Sequence, residues 1–158
     1  MEEKFKKIIS TNRRATFNFF IEERIEAGIV LTGPEVKSIR LKACNIEDSH
    51  ADVMRNDIYI FGLFIAEYDK ANKFCMQSTR RPRKLLLHKK ESRKLIGKIK
   101  MKGYTLIALS MYFNHKNLVK IELGLAKGKK LHDKRECIKT KDWNREQSRI
   151  MREKNRSV

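Results

Sequence analysis

Through roughly the first 126 positions, apolar residues come in short dense runs; beyond them they thin to isolated points. Phe17-Asn18-Phe19-Phe20-Ile21-Glu22-Glu23-Arg24 carries the aromatic and β-branched residues of a strand. Ile25 to Leu31 reads as a second strand, with Gly28 allowing a bulge or a close approach. Met1 to Thr11 alternates charge with Phe5, Ile8 and Ile9 and predicts only frayed chain or a short helical turn. Thr32-Gly33-Pro34-Glu35 is a helix start: a cap, a proline whose missing N–H costs nothing in the first turn, and a carboxylate favoured by the helix dipole. That helix should reach about Arg40 or Lys42, with Val36, Ile39 and Ala43 inward and Lys37 and Arg40 outward.

Ser49–Met54 and Ile58–Ile65 flank the turn signal Arg55-Asn56-Asp57 and predict a hairpin, whose second arm Gly62 should bend. Glu67 to Pro82 is mostly polar and reads as a loop of about fifteen residues, the upper end for an unstructured connection. It closes on Arg80-Arg81-Pro82-Arg83-Lys84 and an apolar run, Leu85-Leu86-Leu87, that should bury itself. His88 to Lys102 predicts a second helix with Leu95, Ile96 and Ile99 inward, ended by Gly103. Strands follow at Tyr104–Phe113 and Leu118–Leu125, joined by Asn114-His115-Lys116-Asn117; in the last, Val119, Ile121, Leu123 and Leu125 alternate with Lys120, Glu122 and Gly124. Short strands, hairpin turns, two embedded helices and the lack of a strand-helix-strand rhythm predict a mainly β fold. The expected form is a small antiparallel, OB-like closed β-barrel over residues 1–126 with a basic C-terminal tail over 127–158.

The junction, Leu123 to Arg135, ends the folded body and opens the tail. Gly124 and Gly128 there permit backbone conformations closed to other residues, and Lys127, Lys129, Lys130, Lys134 and Arg135 concentrate charge. In a helix, Trp143, Ile150 and Met151 fall at i, i+7 and i+8, a stripe too thin to anchor the tail, which is expected to be disordered alone and helical on a partner. Lys+Arg 37 against Asp+Glu 19 gives +18, spread over body and tail, and such a field draws polyanions. No run approaches the roughly 18 apolar residues of a membrane span, and Met1-Glu2-Glu3-Lys4 does not open a signal peptide, so the expected setting is cytoplasmic with nucleic acid, not membrane, as partner.

Cys44, Cys75 and Cys137 are odd in number and widely spaced, supporting neither a disulfide framework nor a zinc site. Acid-base cleavage of RNA needs two positioned titratable groups, and no spacing pairs the histidines, so neither an enzyme nor a cofactor is expected. His88 precedes a helix and His115 sits in a turn, whereas His132 follows three lysines and has a ring able to stack on a base. Phe17, Phe19 and Phe20 belong to the core or stack bases as OB-fold aromatics do. Glu26 is the pointed residue: a carboxylate in so basic a chain either pairs a cation structurally or accepts hydrogen bonds from a base edge or a 2′-hydroxyl. The basic residues expected to neutralise phosphates on the body are Arg13, Arg14, Lys37, Arg81, Arg83, Lys84 and Lys120.

Asn12-Arg13-Arg14-Ala15, Phe20-Ile21-Glu22-Glu23 with Glu26-Ala27-Gly28, Glu35-Val36-Lys37-Ser38-Ile39-Arg40, Arg83-Lys84-Leu85-Leu86-Leu87 and Gly124 to Arg135 together resemble the bacterial small protein B family, the SsrA-binding proteins, in order along nearly the whole chain. The resemblance implies an OB-like barrel binding the tRNA-like domain of tmRNA in trans-translation, the rescue of ribosomes stalled on messages without a stop codon. It implies a monomer that meets elongation factor Tu through aminoacylated tmRNA, and a tail that enters the empty decoding site and mRNA channel against small-subunit ribosomal RNA. By motif, Asn12, Arg13, Arg14, Glu26, Leu86 and Lys120 would belong to the tmRNA surface. Lys127, Gly128, Lys129, Lys130, His132, Asp133, Lys134 and Arg135 would approach the decoding centre, with Trp143, Ile150 and Met151 along the channel. The chain departs from the family pattern after Arg40, where the usual Gly and Lys are Lys42 and Ala43, at His50 in place of an aromatic, and at Ser78-Thr79 in place of Asp-Pro. The alternatives are a ribosomal or ribosome-assembly protein, told apart by whether tmRNA or ribosomal RNA co-purifies, and a nuclease dependent on His132.

Overall fold

A computed structural model describes residues 6–68, 78–101 and 103–156; in the last helix the side chains of 131, 132, 134, 136, 137, 141 and 154–156 lie outside that description. The elements are β1 (Lys7–Thr11), α1 (Ala15–Asn18), β2 (Phe19–Ile29), α2 (Gly33–Arg40), β3 (Cys44–Asn45), β4 (His50–Met54), β5 (Asp57–Phe61), β6 (Phe64–Ile65), β7 (Arg83–Leu86), α3 (Lys89–Ile99), β8 (Tyr104–Phe113), β9 (Val119–Gly128) and α4 (Leu131–Arg156). The protein is mainly β. Its strands pair antiparallel in the order β1-β8-β4-β5-β7-β2-β9, β8 and β9 also pairing with each other, while β3 and β6 form a separate ladder.

The apolar periodicity explains the core. Ile121, Leu123 and Leu125 of β9 point inward beside Leu106 and Met111 of β8 and Ile58 and Ile60 of β5, and Ile39 of α2 and Leu95 of α3 close the same cluster. Each such side chain taken from water contributes about 1.5–3 kcal/mol. A second, smaller cluster, Ala15, Ile107, Leu109 and Ala126, lies on the other face of the β8–β9 ladder under Phe19 and Ile21.

Several elements differ from the sequence expectation. Lys7–Thr11 is a strand, because pairing with Ser110–Phe113 of β8 supplies the partner that a local reading does not see. Phe17 lies in the helical turn α1, and the two strands expected between residues 17 and 31 are one, β2, pairing continuously with β9 from Phe19↔Gly128 to Gly28↔Lys120. The irregularity in that ladder falls between Ile21 and Glu23, not at Gly28. Gly28 instead marks a close approach: a Cβ there would sit 3.2 Å from the Leu86 Cβ. The body extends to Gly128, two residues beyond the expected border, and its last strand residues need no special backbone, since neither Gly124 nor Gly128 has a positive φ. Gly124 is small for another reason, with Leu109 Cδ1 3.0 Å from where its Cβ would be.

The β4–β5 hairpin turns at Arg55 and Asn56, φ 50° and 64°, the two left-handed positions of a tight two-residue turn. Gly62 ends β5 at φ 73°, with the Asp48 carbonyl only 2.6 Å from a would-be Cβ, so glycine is required there on both counts. Most of the polar loop expected over Glu67–Pro82, and Cys75, fall at 69–77, outside the described residues.

Candidate nucleic-acid interface

On the outward face of β2, alternation and register bring Arg24, Glu26 and Gly28 opposite Gly124, Glu122 and Lys120 of β9, with Leu86 of β7 opposite Gly28 on the other side. From β8, Ser110 and Tyr112 stand opposite Glu122 and Lys120. The Tyr112 hydroxyl donates to Glu26 Oε2, and Lys120 Nζ stands 3.7 Å from Glu26 Oε1. Ser110 Oγ donates to Glu122 Oε2 at 2.8 Å, and Arg24 reaches Glu122 Oε1 at 3.6 Å. Lys6 Nζ lies 4.5 Å from the centre of the Tyr112 ring. Burial, then the bond to Glu26, raises the Tyr112 phenol above its ordinary value, which keeps it a donor at neutral pH. Glu26 therefore has structural partners and yet remains exposed beside exposed Leu86. Tyr112, Arg24, Ser110 and Glu122 were not singled out by the sequence; the hairpin pairing of β8 with β9 is the signal that aligns them.

Next to this row, where β2 and β7 splay apart above α3, opens a groove of about 920 Å³. Its apolar wall includes Ile25, Ile58, Leu85 and Leu95, and its rim carries Lys84, Lys94 and Glu23. Glu23 is held by Lys94 at 2.6 Å and Lys98 at 2.9 Å, whose hydrogen bonds lower its carboxyl. Lys84 pairs with Asp57 at 2.5 Å, which raises its ammonium.

One of the expected phosphate contacts is withdrawn by the structure and a second is tied to a carboxylate. Arg83 is completely buried: Nε donates to Glu35 Oε1 at 2.8 Å, and the two outer nitrogens donate to the carbonyls of Leu63, Arg81 and Thr79. Arg81 forks onto the same carboxylate at 2.9 and 2.7 Å, and the Thr32 N–H donates to it at 2.8 Å at the start of α2. Burial opposes the charge of Glu35, but the hydrogen bonds of Arg81, Thr32 and Arg83, with the Arg83 charge, hold its carboxyl below the ordinary value. The two arginines clamp the approach to β7 onto α2: wholly buried Arg83 can offer no donor to a phosphate, while Arg81 spends Nε and one Nη on the carboxylate and keeps about a fifth of its side chain in solvent. Lys37 stays exposed on α2, 5.4 Å from the Tyr68 ring centre.

Asn12 is likewise internal. Its Nδ2 donates to the carbonyls of Glu47 and Ala108 at 3.1 and 3.2 Å, and its Oδ1 accepts from the N–H groups of Arg14 and Ala15, so its amide is fully used. The consequence is positional: the bonded turn presents Arg13 and Arg14 to solvent. Beyond β9, the Lys129 N–H bonds the Asn18 carbonyl at 3.0 Å, Lys129 Nζ bonds the Thr16 carbonyl at 2.9 Å, and Asp133 accepts the Lys130 N–H at 3.0 Å where α4 begins. Lys127, Gly128 and Lys130 are exposed, as is Arg135, while the side chains of His132 and Lys134 lie outside the description. Along α4 every described side chain from Ile138 on is exposed, Trp143, Ile150 and Met151 included.

Among the described residues no group of His, Cys, Asp or Glu is arranged to hold a metal ion, and no helix is long and apolar enough to cross a membrane. Burial pushes the Cys44 thiol up to about 11.

The molecule is thus a basic β body followed by a long helix that is exposed at every described side chain from Ile138 on. The family model for SmpB protein matches residues 9–153. The chain belongs to the SmpB family. The SsrA-binding protein of Rickettsia bellii (strain OSU 85-389) is 65% identical over 150 residues, 95% of this chain and 99% of that protein. The SsrA-binding protein of Rickettsia conorii is 63% identical over 150 residues, with 95% and 98% covered. A solved chain from work on tmRNA–SmpB in the bacterial ribosome superposes with TM-score 0.63 at 45% identity, covering 77% of this chain and 84% of that one. At the positions expected to depart from the family pattern, Lys42 turns at φ 58° and the Ala43 N–H bonds the Ser38 carbonyl; His50 stacks on Phe61 with ring centres 5.8 Å apart; and the Arg81 N–H closes a turn on the Ser78 carbonyl.

Proposed function

We propose that this chain binds the tRNA-like domain of tmRNA through its β body and delivers it to stalled ribosomes in trans-translation, where α4 occupies the empty decoding site and mRNA channel. The observation that carries this reading is the near-full-length relationship to SsrA-binding proteins. Helix α4 supports it. A helix of 26 residues spans about 40 Å at 1.5 Å per residue, long enough to thread a channel, and one whose described side chains from Ile138 on all stand in solvent is stabilised mainly by a partner. The circuit of pairings from β8 through β4, β5, β7, β2 and β9 back to β8 supports a closed barrel of OB type as the RNA-binding body. On this reading the protein is a monomeric cytoplasmic adaptor without chemistry of its own, meeting elongation factor Tu through aminoacylated tmRNA. Exposed Arg13, Arg14 and Lys37, with half-buried Lys84 and Lys120, neutralise phosphates, Glu26 and Leu86 meet bases or riboses, and Asn12 acts by shaping the Arg13-Arg14 turn.

The test is a truncation after Lys130, chosen because β9 pairs to Gly128 and Lys129 is bonded to α1. The truncated chain should bind the tRNA-like domain as tightly as the full chain and fail to tag nascent peptides on stalled ribosomes. Tagging at the full rate would refute the assignment of α4, and loss of tRNA-like-domain binding would refute the division between body and tail.

A further inference from the structure

At the far end of β2 from Glu26, register places three residues in one row across the sheet: Phe20 of β2 opposite Lys127 of β9, and Lys127 opposite Tyr104 of β8. Directly paired residues project to one face. This row continues the inward parity of Leu125 and Leu106 past the end of the core, so side chains that would be buried further along emerge at the rim. Phe20 is 50% exposed. Lys129 Nζ lies 4.8 Å from the Phe20 ring centre and Lys127 Nζ lies 6.0 Å from that of Tyr104, while the Tyr104 hydroxyl is held by Glu22 at 3.0 Å. Lys129 is itself fixed by its bonds to the carbonyls of Asn18 and Thr16.

We propose that Phe20, Tyr104, Lys127 and Lys129 form a stacking platform for an unpaired nucleotide of ribosomal RNA. The rings offer π-faces to a base and the two ammonium groups receive its flanking phosphates, the combination that binds single-stranded nucleic acid without reading its sequence. The ribosome is the source because of position, a step that rests on the adaptor reading above. The platform adjoins the root of α4 through Gly128 and Lys129, whereas Glu26 lies six residues along β2, roughly 20 Å away at about 3.3 Å per residue.

The experiment uses the full chain with Phe20→Leu, which keeps apolar bulk and removes the ring, and Lys129→Gln as a second variant. Affinity is measured for the isolated tRNA-like domain and, with tmRNA bound, for stalled ribosomes. Loss of one stacked base should weaken ribosome binding by about tenfold with tRNA-like-domain affinity unchanged. In parallel, a photoreactive benzoylphenylalanine at position 20 should crosslink to a single-stranded nucleotide of ribosomal RNA. Unchanged ribosome binding by both variants, or crosslinks confined to protein, overturns the platform. Weakened tRNA-like-domain binding assigns it to tmRNA and overturns the ribosomal source. A wild-type chain that bound neither RNA would instead overturn the adaptor reading, and this site with it.

Discussion

Replacing Arg83 by methionine separates a clamp from an RNA contact. The guanidinium is wholly buried and satisfies the Glu35 carboxylate and the carbonyls of Leu63, Thr79 and Arg81, while Glu35 retains only Arg81 and the Thr32 N–H once it is gone. Methionine fills much of the space but leaves the carboxylate with one counter-charge instead of two and the three carbonyls short of a donor. Breaking a buried pair from one side costs about 3–5 kcal/mol. For a domain near 150 residues each kcal/mol moves the melting temperature by about 2–4 °C, so Arg83→Met should lower it by roughly 6–20 °C. Thermal unfolding of the full chain, with tRNA-like-domain affinity per folded molecule measured well below the transition, reads both effects. A variant that melted like wild type and lost salt-sensitive affinity would refute the clamp and restore Arg83 to the RNA surface. The same network has a pH signature. Because the Glu35 carboxyl lies lower in the folded than in the unfolded chain, its contribution is fully present above the ordinary value near 4.5 and is lost as pH falls through the lower folded value. Glu35→Gln should flatten that part of the acid-unfolding curve, and an unchanged curve would count against the network.

With Arg83 buried and Arg81 tied to Glu35, the seven expected phosphate contacts fall to about five, and the log-log salt slope of tRNA-like-domain binding should be about −4; a flat profile would refute electrostatic binding by the body. Glu26→Gln should weaken that binding with little change in melting, and Tyr112→Phe should weaken it about threefold to tenfold by releasing the carboxylate; a drop in melting without loss of affinity would make Glu26 purely structural. Cys44, with its thiol pushed up to about 11 by burial, should react slowly with a thiol reagent at pH 8 in the folded chain and fast in urea, read by mass spectrometry after digestion; fast labelling of the folded chain would contradict its burial.

The periodicities of the chain determined much by themselves. Alternation through β8 and β9, the Thr32 to Glu35 helix start and the Arg55-Asn56 turn are local signals, each satisfied by neighbours within a few residues, and they recur in the structure with borders moved by one to three positions. The tail's excess of charge over apolar area was equally legible, since it depends on composition alone. Tertiary structure decided which basic residues face solvent. Arg80 to Lys84 reads as one cluster, yet Arg83 turns inward with Leu85 while Lys84 and Leu86 turn out, and the carboxylate that receives Arg83 lies 48 residues earlier. The two-residue alternation hinted at that inward turn, but no local pattern names a partner so distant. Asn12 is similar, its polar motif closed on itself by carbonyls from Glu47 and Ala108. β1 became a strand only because β8 offered it an edge, and Phe20, alike in sequence to its half-buried neighbours Phe19 and Ile21, was left exposed because the ladder it belongs to outruns the core. Composition sets how much charge and apolar surface a chain carries; which part of each meets water depends on long-range pairing, whose partners are chosen only when the whole sheet assembles.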